Sequence, residues 1–139
     1  MKKNLLFLFM AVFFTACQDS SKLVISDLQC EYLDAPLAID NTTPHFGWKM
    51  TCGQNGMSSS AYQILVATEL DKLNEEEADL WNSGKVSSDT SLGIAYGGKA
   101  LTSRTQAYWK VRVWNQADVP SDWSKPSSFG IGILSENDW

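Results

Sequence analysis

The sequence predicts an all-β domain, two antiparallel sheets packed face to face, with about seven short strands and one short helical insertion. Three observations carry this. Short runs of alternating apolar and polar residues recur along the chain, clusters of Gly, Pro, Asn, Asp and Ser separate them, and only one stretch has helical spacing.

The first strand is read over Leu23–Tyr32, where Leu28, Cys30 and Tyr32 fall on alternate positions. Pro36 and the cluster Asp40-Asn41-Thr42-Thr43-Pro44 are turn chemistry. Phe46, Trp48 and Met50 then alternate with Gly47, Lys49 and Thr51, giving a second strand. A glycine- and serine-rich loop at 53–60 leads to a third, Ala61–Thr68, with Tyr62, Ile64 and Val66 on one face. Glu69–Leu80 is the helical stretch, with Leu70, Leu73 and Leu80 on one side and Glu75, Glu76, Glu77 and Asp79 facing water. Trp81-Asn82-Ser83-Gly84 closes it, and Lys85–Ser87 and Leu92–Tyr96 read as two further strands. The strongest strand signal is Tyr108–Trp114, with Trp109, Val111 and Val113 on one face and Tyr108, Lys110, Arg112 and Trp114 on the other. A loop between Pro120 and Pro126 holds Trp123, and Ser128–Ile133 is the last strand, an edge strand entered after a proline. Trp48, Trp109, Val111 and Val113 are the expected core.

The segment 1–16 reads as an export signal, because Lys2 and Lys3 precede the apolar run Leu5–Phe14 and small residues follow. That run is too short to span a bilayer, which needs roughly 20 apolar residues. Phe14-Thr15-Ala16-Cys17 resembles a bacterial lipobox, with Phe14 in place of the usual Leu. The resemblance implies lipid attachment at Cys17, a tether at 17–22, and anchoring in the bacterial cell envelope. The alternative is cleavage near Ala16 and secretion. The sandwich is expected over 23–134, with 135–139 opening a linker toward a following domain.

The formal net charge is −5, which argues against nucleic acid as a partner. Export puts Cys30 and Cys52 in an oxidising compartment, where they are either a disulfide or two buried small apolar side chains. No C-x-x-C spacing is present and His45 is the only histidine, so neither a zinc site nor any other cofactor is expected.

Leu101–Tyr108 followed by Trp109-Lys-Val-Arg-Val-Trp114 and Ser121-Asp-Trp-Ser124 resembles the E–F corner, F strand and F–G loop of fibronectin type III domains. Trp48 sits where such domains keep a strand-B tryptophan, while Trp109 rather than Tyr108 takes the inward slot of a corner tyrosine. A closer resemblance covers nearly the whole chain after the leader. Leu28-Gln-Cys-Glu-Tyr-Leu33, Pro36-Leu-Ala-Ile-Asp40, Pro44-His-Phe-Gly-Trp48, Ala61-Tyr-Gln-Ile-Leu-Val-Ala67 and Leu80-Trp-Asn-Ser-Gly-Lys-Val86 look like the N-terminal sandwich of bacterial α-L-rhamnosidases, glycoside hydrolase family 78. Trp123-Ser-Lys-Pro126, Phe129–Leu134 and Asp138-Trp139 continue that family's order. The resemblance implies the first of several β-domains preceding an (α/α)6 barrel that carries the catalytic acids. No catalytic residue carries over, and the expected role is a non-catalytic accessory module, a fragment or orphan domain, inactive alone.

Glycoside hydrolysis needs two carboxyl groups about 5–10 Å apart, whereas Glu75, Glu76, Glu77 and Asp79 read as a solvated face. Ser58, Ser59 and Ser60 lack any base but His45, itself a turn residue beside Pro44. What remains is the outer face of the Tyr108–Trp114 strand. Tyr108, Trp114 and Trp123 there either stack on a sugar, meet a following domain, or interleave with Lys110 and Arg112 in a structural cation–π ladder. The expected partners are accordingly following domains of a parent rhamnosidase or rhamnoside glycans, and a membrane through the anchor. The alternative function is an independent carbohydrate-binding lipoprotein.

Overall fold

The computed structural model describes residues 21–139. Its strands are β1 (Leu23–Cys30), β2 (His45–Cys52), β3 (Ser59–Ala67), β4 (Trp81–Asn82), β5 (Val86–Ser87), β6 (Leu92–Ala95), β7 (Gln106–Asn115) and β8 (Ser127–Gly130). They form the expected two antiparallel sheets. The smaller has the order β1-β2-β6, and the larger the order β4-β3-β7-β8 with β5 also pairing to β3. One strand exceeds the expectation because Trp81–Asn82, read as closing the helical stretch, pairs with Leu65 and Val66.

The alternation in β7 is obeyed. Opposite β3, Val113 pairs with Tyr62, Val111 with Ile64 and Trp109 with Val66 on the face turned to the other sheet. Arg112 pairs with Gln63 and Lys110 with Leu65 on the outer face. From the smaller sheet, Phe46 reaches across so that its ring centre lies 4.4 Å from that of Trp109 and 5.7 Å from that of Phe129. Trp81 and Tyr96 close the cluster at 6.3 and 6.4 Å from Phe46. Trp48 packs edge-on to Tyr62 at 5.7 Å. The expected core residues are all buried, and Phe46 and Phe129 join them.

Three expectations are corrected. The stretch 69–80 is not a helix but a single 3-10 turn, Leu70–Lys72, followed by an irregular segment. The reason is Asn74, whose side-chain oxygen accepts from the amides of Glu76 and Glu77 at 3.0 and 2.9 Å and so offers the backbone an alternative to helix bonds. Glu75, Glu76 and Glu77 are exposed as expected, and Glu75 also pairs with Arg112 at the surface. The first strand ends at Cys30, and Tyr32, expected inside, is 65% exposed. A bulge at Asp27 (φ 49°) reverses the parity of β1, so Leu23 and Ile25 point inward before it and Leu28 and Cys30 after it. The last strand is Ser127–Gly130 rather than Ser128–Ile133. Beyond it Ile131 bridges Ile39 in parallel, and the segment 36–40 lies so close that a Cβ on Gly130 would stand 2.2 Å from the Leu37 carbonyl oxygen.

Cys30 and Cys52 form no disulfide. Cys30 stands opposite Phe46 and Cys52 opposite Leu23, at the two ends of the β1–β2 pairing. Cys30 behaves as a small core residue. Burial, reinforced by the neighbouring Glu31 carboxylate, pushes its thiol up to about 12.

Because Trp109 is wholly enclosed between the sheets, Trp109→Ala is expected to cost about 3–5 kcal/mol in urea melts. Trp114→Ala removes a ring covered by two long cations rather than by the core and should cost less. The reverse order would mean that the two faces of β7 are misassigned.

Candidate functional site: the aromatic and cationic face of β7

Since β7 alternates strictly, its outer face presents Tyr108, Lys110, Arg112 and Trp114 in one row. Trp123 is brought to that row by the loop after β7. There Ser121 and Ser124 lie alongside the strand, their amides donating to the carbonyls of Val113 and Val111 at 2.7 and 2.8 Å. Their hydroxyls accept in turn from the amides of Val113 and Val111, each at 3.0 Å. Two serine side chains thus stand where a neighbouring strand would place carbonyl groups, and Trp123 between them is held over the sheet.

The result is an alternating stack. Lys85 Nζ lies 4.8 Å from the Trp114 ring centre, and the Arg112 guanidinium lies 5.0 Å from Trp114 and 4.6 Å from Trp123. Lys110 Nζ covers Trp123 at 5.0 Å. Arg112 is fixed by bonds from Nε and Nη2 to Gln63 Oε1 at 3.1 and 2.9 Å and by its ion pair with Glu75. Burial, with the Arg112 charge adding to it and Glu75 opposing, holds the Lys110 ammonium below its usual range. Each cation–π contact is worth about 0.5–2 kcal/mol depending on its desolvation. Together they tie β3, β7, the 69–80 segment and the 120–124 loop into one unit.

The three aromatic residues singled out from the sequence therefore share one face. Tyr108 and Trp123 pack in a cluster with Leu65, Ala67, Leu73 and Ala78, and Trp114 joins through Arg112. Trp114 is only 8% exposed. Cys17 lies outside the described residues. Sequence reasoning passed over Glu75 as a partner of Arg112 and the strand-like role of Ser121 and Ser124. The visible signal was two serines three residues apart flanking Trp123.

The engaged carboxylates are tuned toward ionisation. Burial would raise the Asp79 carboxyl, but bonds from the Thr68 hydroxyl and amide at 2.6 and 2.9 Å outweigh it and hold it below its ordinary value. The same balance holds Glu31 low, through His45 and Asn41. A general acid in glycoside hydrolysis needs the opposite shift. Among the described residues no group of three His, Cys, Asp or Glu side chains is placed to hold a metal ion.

The two-sheet sandwich and its strand order define an immunoglobulin-like β-domain. Residues 25–135 match the model of the Rha78A-like, N-terminal immunoglobulin domain, and the chain belongs to that family. It is 45% identical over 136 residues to an alpha-L-rhamnosidase of Formosa agariphila, covering 95% of this chain and 14% of that protein. A Streptomyces avermitilis alpha-L-rhamnosidase, whose crystal structure is complexed with L-rhamnose, superposes with a TM-score of 0.80 at 37% identity, over 84% of this chain and 11% of that one. The alpha-L-rhamnosidase from Dictyoglumus thermophilum also superposes at 0.80, with 34% identity over 86% of this chain and 14% of that one. The chain thus spans about one-seventh or less of the length of these relatives.

Removing the Ser124 hydroxyl strands the buried Val111 amide. Ser124→Ala is expected to cost about 1–3 kcal/mol and to speed hydrogen exchange at Val111. An unchanged melt and unchanged exchange would show that the hydroxyl is not what holds the 120–124 loop.

Proposed function

We propose that the chain is a non-catalytic accessory module of a cell-envelope alpha-L-rhamnosidase, spacing and supporting neighbouring domains in the degradation of rhamnose-containing glycans. The observation that carries this reading is that the whole domain aligns with a small part of much longer alpha-L-rhamnosidases. The geometry agrees with it. Trp114 and Trp123 have cations over their rings, Glu75 is committed to Arg112 and Asp79 to Thr68, so the prominent aromatic and acidic groups serve the fold. Anchoring through lipid on Cys17 is part of the proposal, supported by Lys2, Lys3, the run Leu5–Phe14 and Thr15-Ala16-Cys17.

Two measurements test it. Purified protein is expected to release no nitrophenol from 4-nitrophenyl α-L-rhamnoside and to give no heat on titration with L-rhamnose. Turnover would make the chain an enzyme, and saturable binding lost in Trp123→Ala would make it an independent carbohydrate-binding protein. For the anchor, Cys17→Ser is expected to move the protein from the membrane to the soluble fraction and to abolish acyl labelling, and unchanged fractionation and labelling would refute lipidation.

A further inference from the structure

The two sheets are covered unequally. The outer face of the larger sheet is packed by the 69–80 segment and the Ser121–Ser124 loop, whereas on the outer face of β1-β2-β6 Val24 and Leu92 are 60% and 57% exposed. Two backbone irregularities push large apolar side chains out onto that face. In β6 a bulge at Gly93 (φ 74°) shifts the register so that Phe46 stands opposite Ile94 but Gly47 opposite Leu92. Leu92 is thereby turned outward, 57% exposed, over Gly47, where a Cβ would meet Leu92 Cδ1 at 2.8 Å.

The second irregularity is the turn after β1. Cys30 and Leu33 exchange backbone bonds of 2.9 and 3.0 Å around Glu31 (φ 51°) and Tyr32 (φ 63°). Both central residues of this turn are left-handed, a geometry that favours Asn-Gly and strains Glu-Tyr. It is retained by the Glu31 carboxylate, which accepts from the His45 amide at 2.6 Å and Asn41 Nδ2 at 3.0 Å and lies 2.9 Å from His45 Nδ1. The outcome is Tyr32, 65% exposed, on the notch floored by Gly47 and Gly93 that Leu92 also lines. Backbone strain of this kind clusters at functional positions in folded proteins. The rest of the face mixes Val24 and Ala95 with the polar Ser26, Gln29, His45 and Thr51, and its Lys49 charge is paired with Asp27 at 3.1 Å.

We infer that the outer face of β1-β2-β6, centred on Tyr32 and Leu92 over Gly47, is the docking surface for a neighbouring folded domain of the same polypeptide. The inference rests on the accessory-module reading. It commits to that occupant because the relatives run roughly seven times the length of this chain, and because exposed Tyr32, Leu92 and Val24 set among small and polar residues with a paired charge have the mixed composition of a protein–protein interface rather than the charge of an ionic ligand site.

The test compares hydrogen exchange in this chain alone with exchange in the same chain joined ahead of the remainder of the Formosa agariphila relative. Amides at 45–49 and 91–95 are expected to slow about tenfold or more in the joined protein. Leu92→Lys, at an exposed position, should abolish that slowing while leaving the melt of the isolated chain unchanged. Slowing confined to the Trp114–Trp123 face would overturn this inference and leave the accessory reading standing. No slowing anywhere would count against both. Dimerisation of the isolated chain that Leu92→Lys abolishes would assign the face to a second copy, and slowing induced in the isolated chain by L-rhamnose would assign it to a sugar. Either outcome overturns the proposal.

Discussion

The fold depends on the contact between Phe46 of one sheet and Trp109 of the other, with ring centres 4.4 Å apart. A sandwich this small buries little surface, so a few large rings between the sheets carry a large share of the hydrophobic stabilisation. Phe129, Trp81 and Tyr96 all gather on Phe46, drawing β8, β4 and the end of β6 to one point. Because β7 has a strict two-residue period, seating Trp109 inward also sets Lys110, Arg112 and Trp114 outward or between. The outer stack is therefore a consequence of the inner contact.

Much of this could be read from the chain. The strand pattern of β2, β3 and β7 is legible because each buries one face against the other sheet, and burial is what writes alternation into a sequence. The core tryptophans Trp48 and Trp109 follow from it. What escaped reading is where a local bond overrides periodicity. Leu70, Leu73 and Leu80 have a helix-like spacing, but the Asn74 side chain takes the amides a helix would need. Tyr32 keeps the alternation of Leu28 and Cys30, yet the turn held by Glu31 ends the strand first. Leu92 and Ile94 share a parity that the Gly93 bulge breaks. Trp81 sits among turn residues and still enters the core, because a two-residue strand is too short to show any period. For the candidate site, membership of Tyr108, Trp114 and Trp123 in one face was legible. The order of cations between the rings was not, since Lys85 arrives from the loop before β5 and Glu75 from a segment of different conformation.

The physical division of labour between the two outer faces gives the domain its sense. One is closed by its own loops, with arginine and lysine laid over tryptophan and bonded to Gln63, Glu75 and Asp118. The other is left open, its centre made flat by glycine and its edge raised by Tyr32 and Leu92. A module that covers one face itself and leaves Tyr32, Leu92 and Val24 exposed on the other is suited to stand inside a larger assembly. That matches a family whose members embed this sandwich in long alpha-L-rhamnosidases.

The dependence of the fold on the inter-sheet ring contact is tested most directly by a double-mutant cycle in urea melts with Phe46→Leu, Trp109→Leu and the pair. Coupling of about 0.5–1.5 kcal/mol is expected, with the double mutant less damaged than the sum of the single mutants. Additive losses would show that each ring contributes only its own burial, and that the sheets are not joined through this contact.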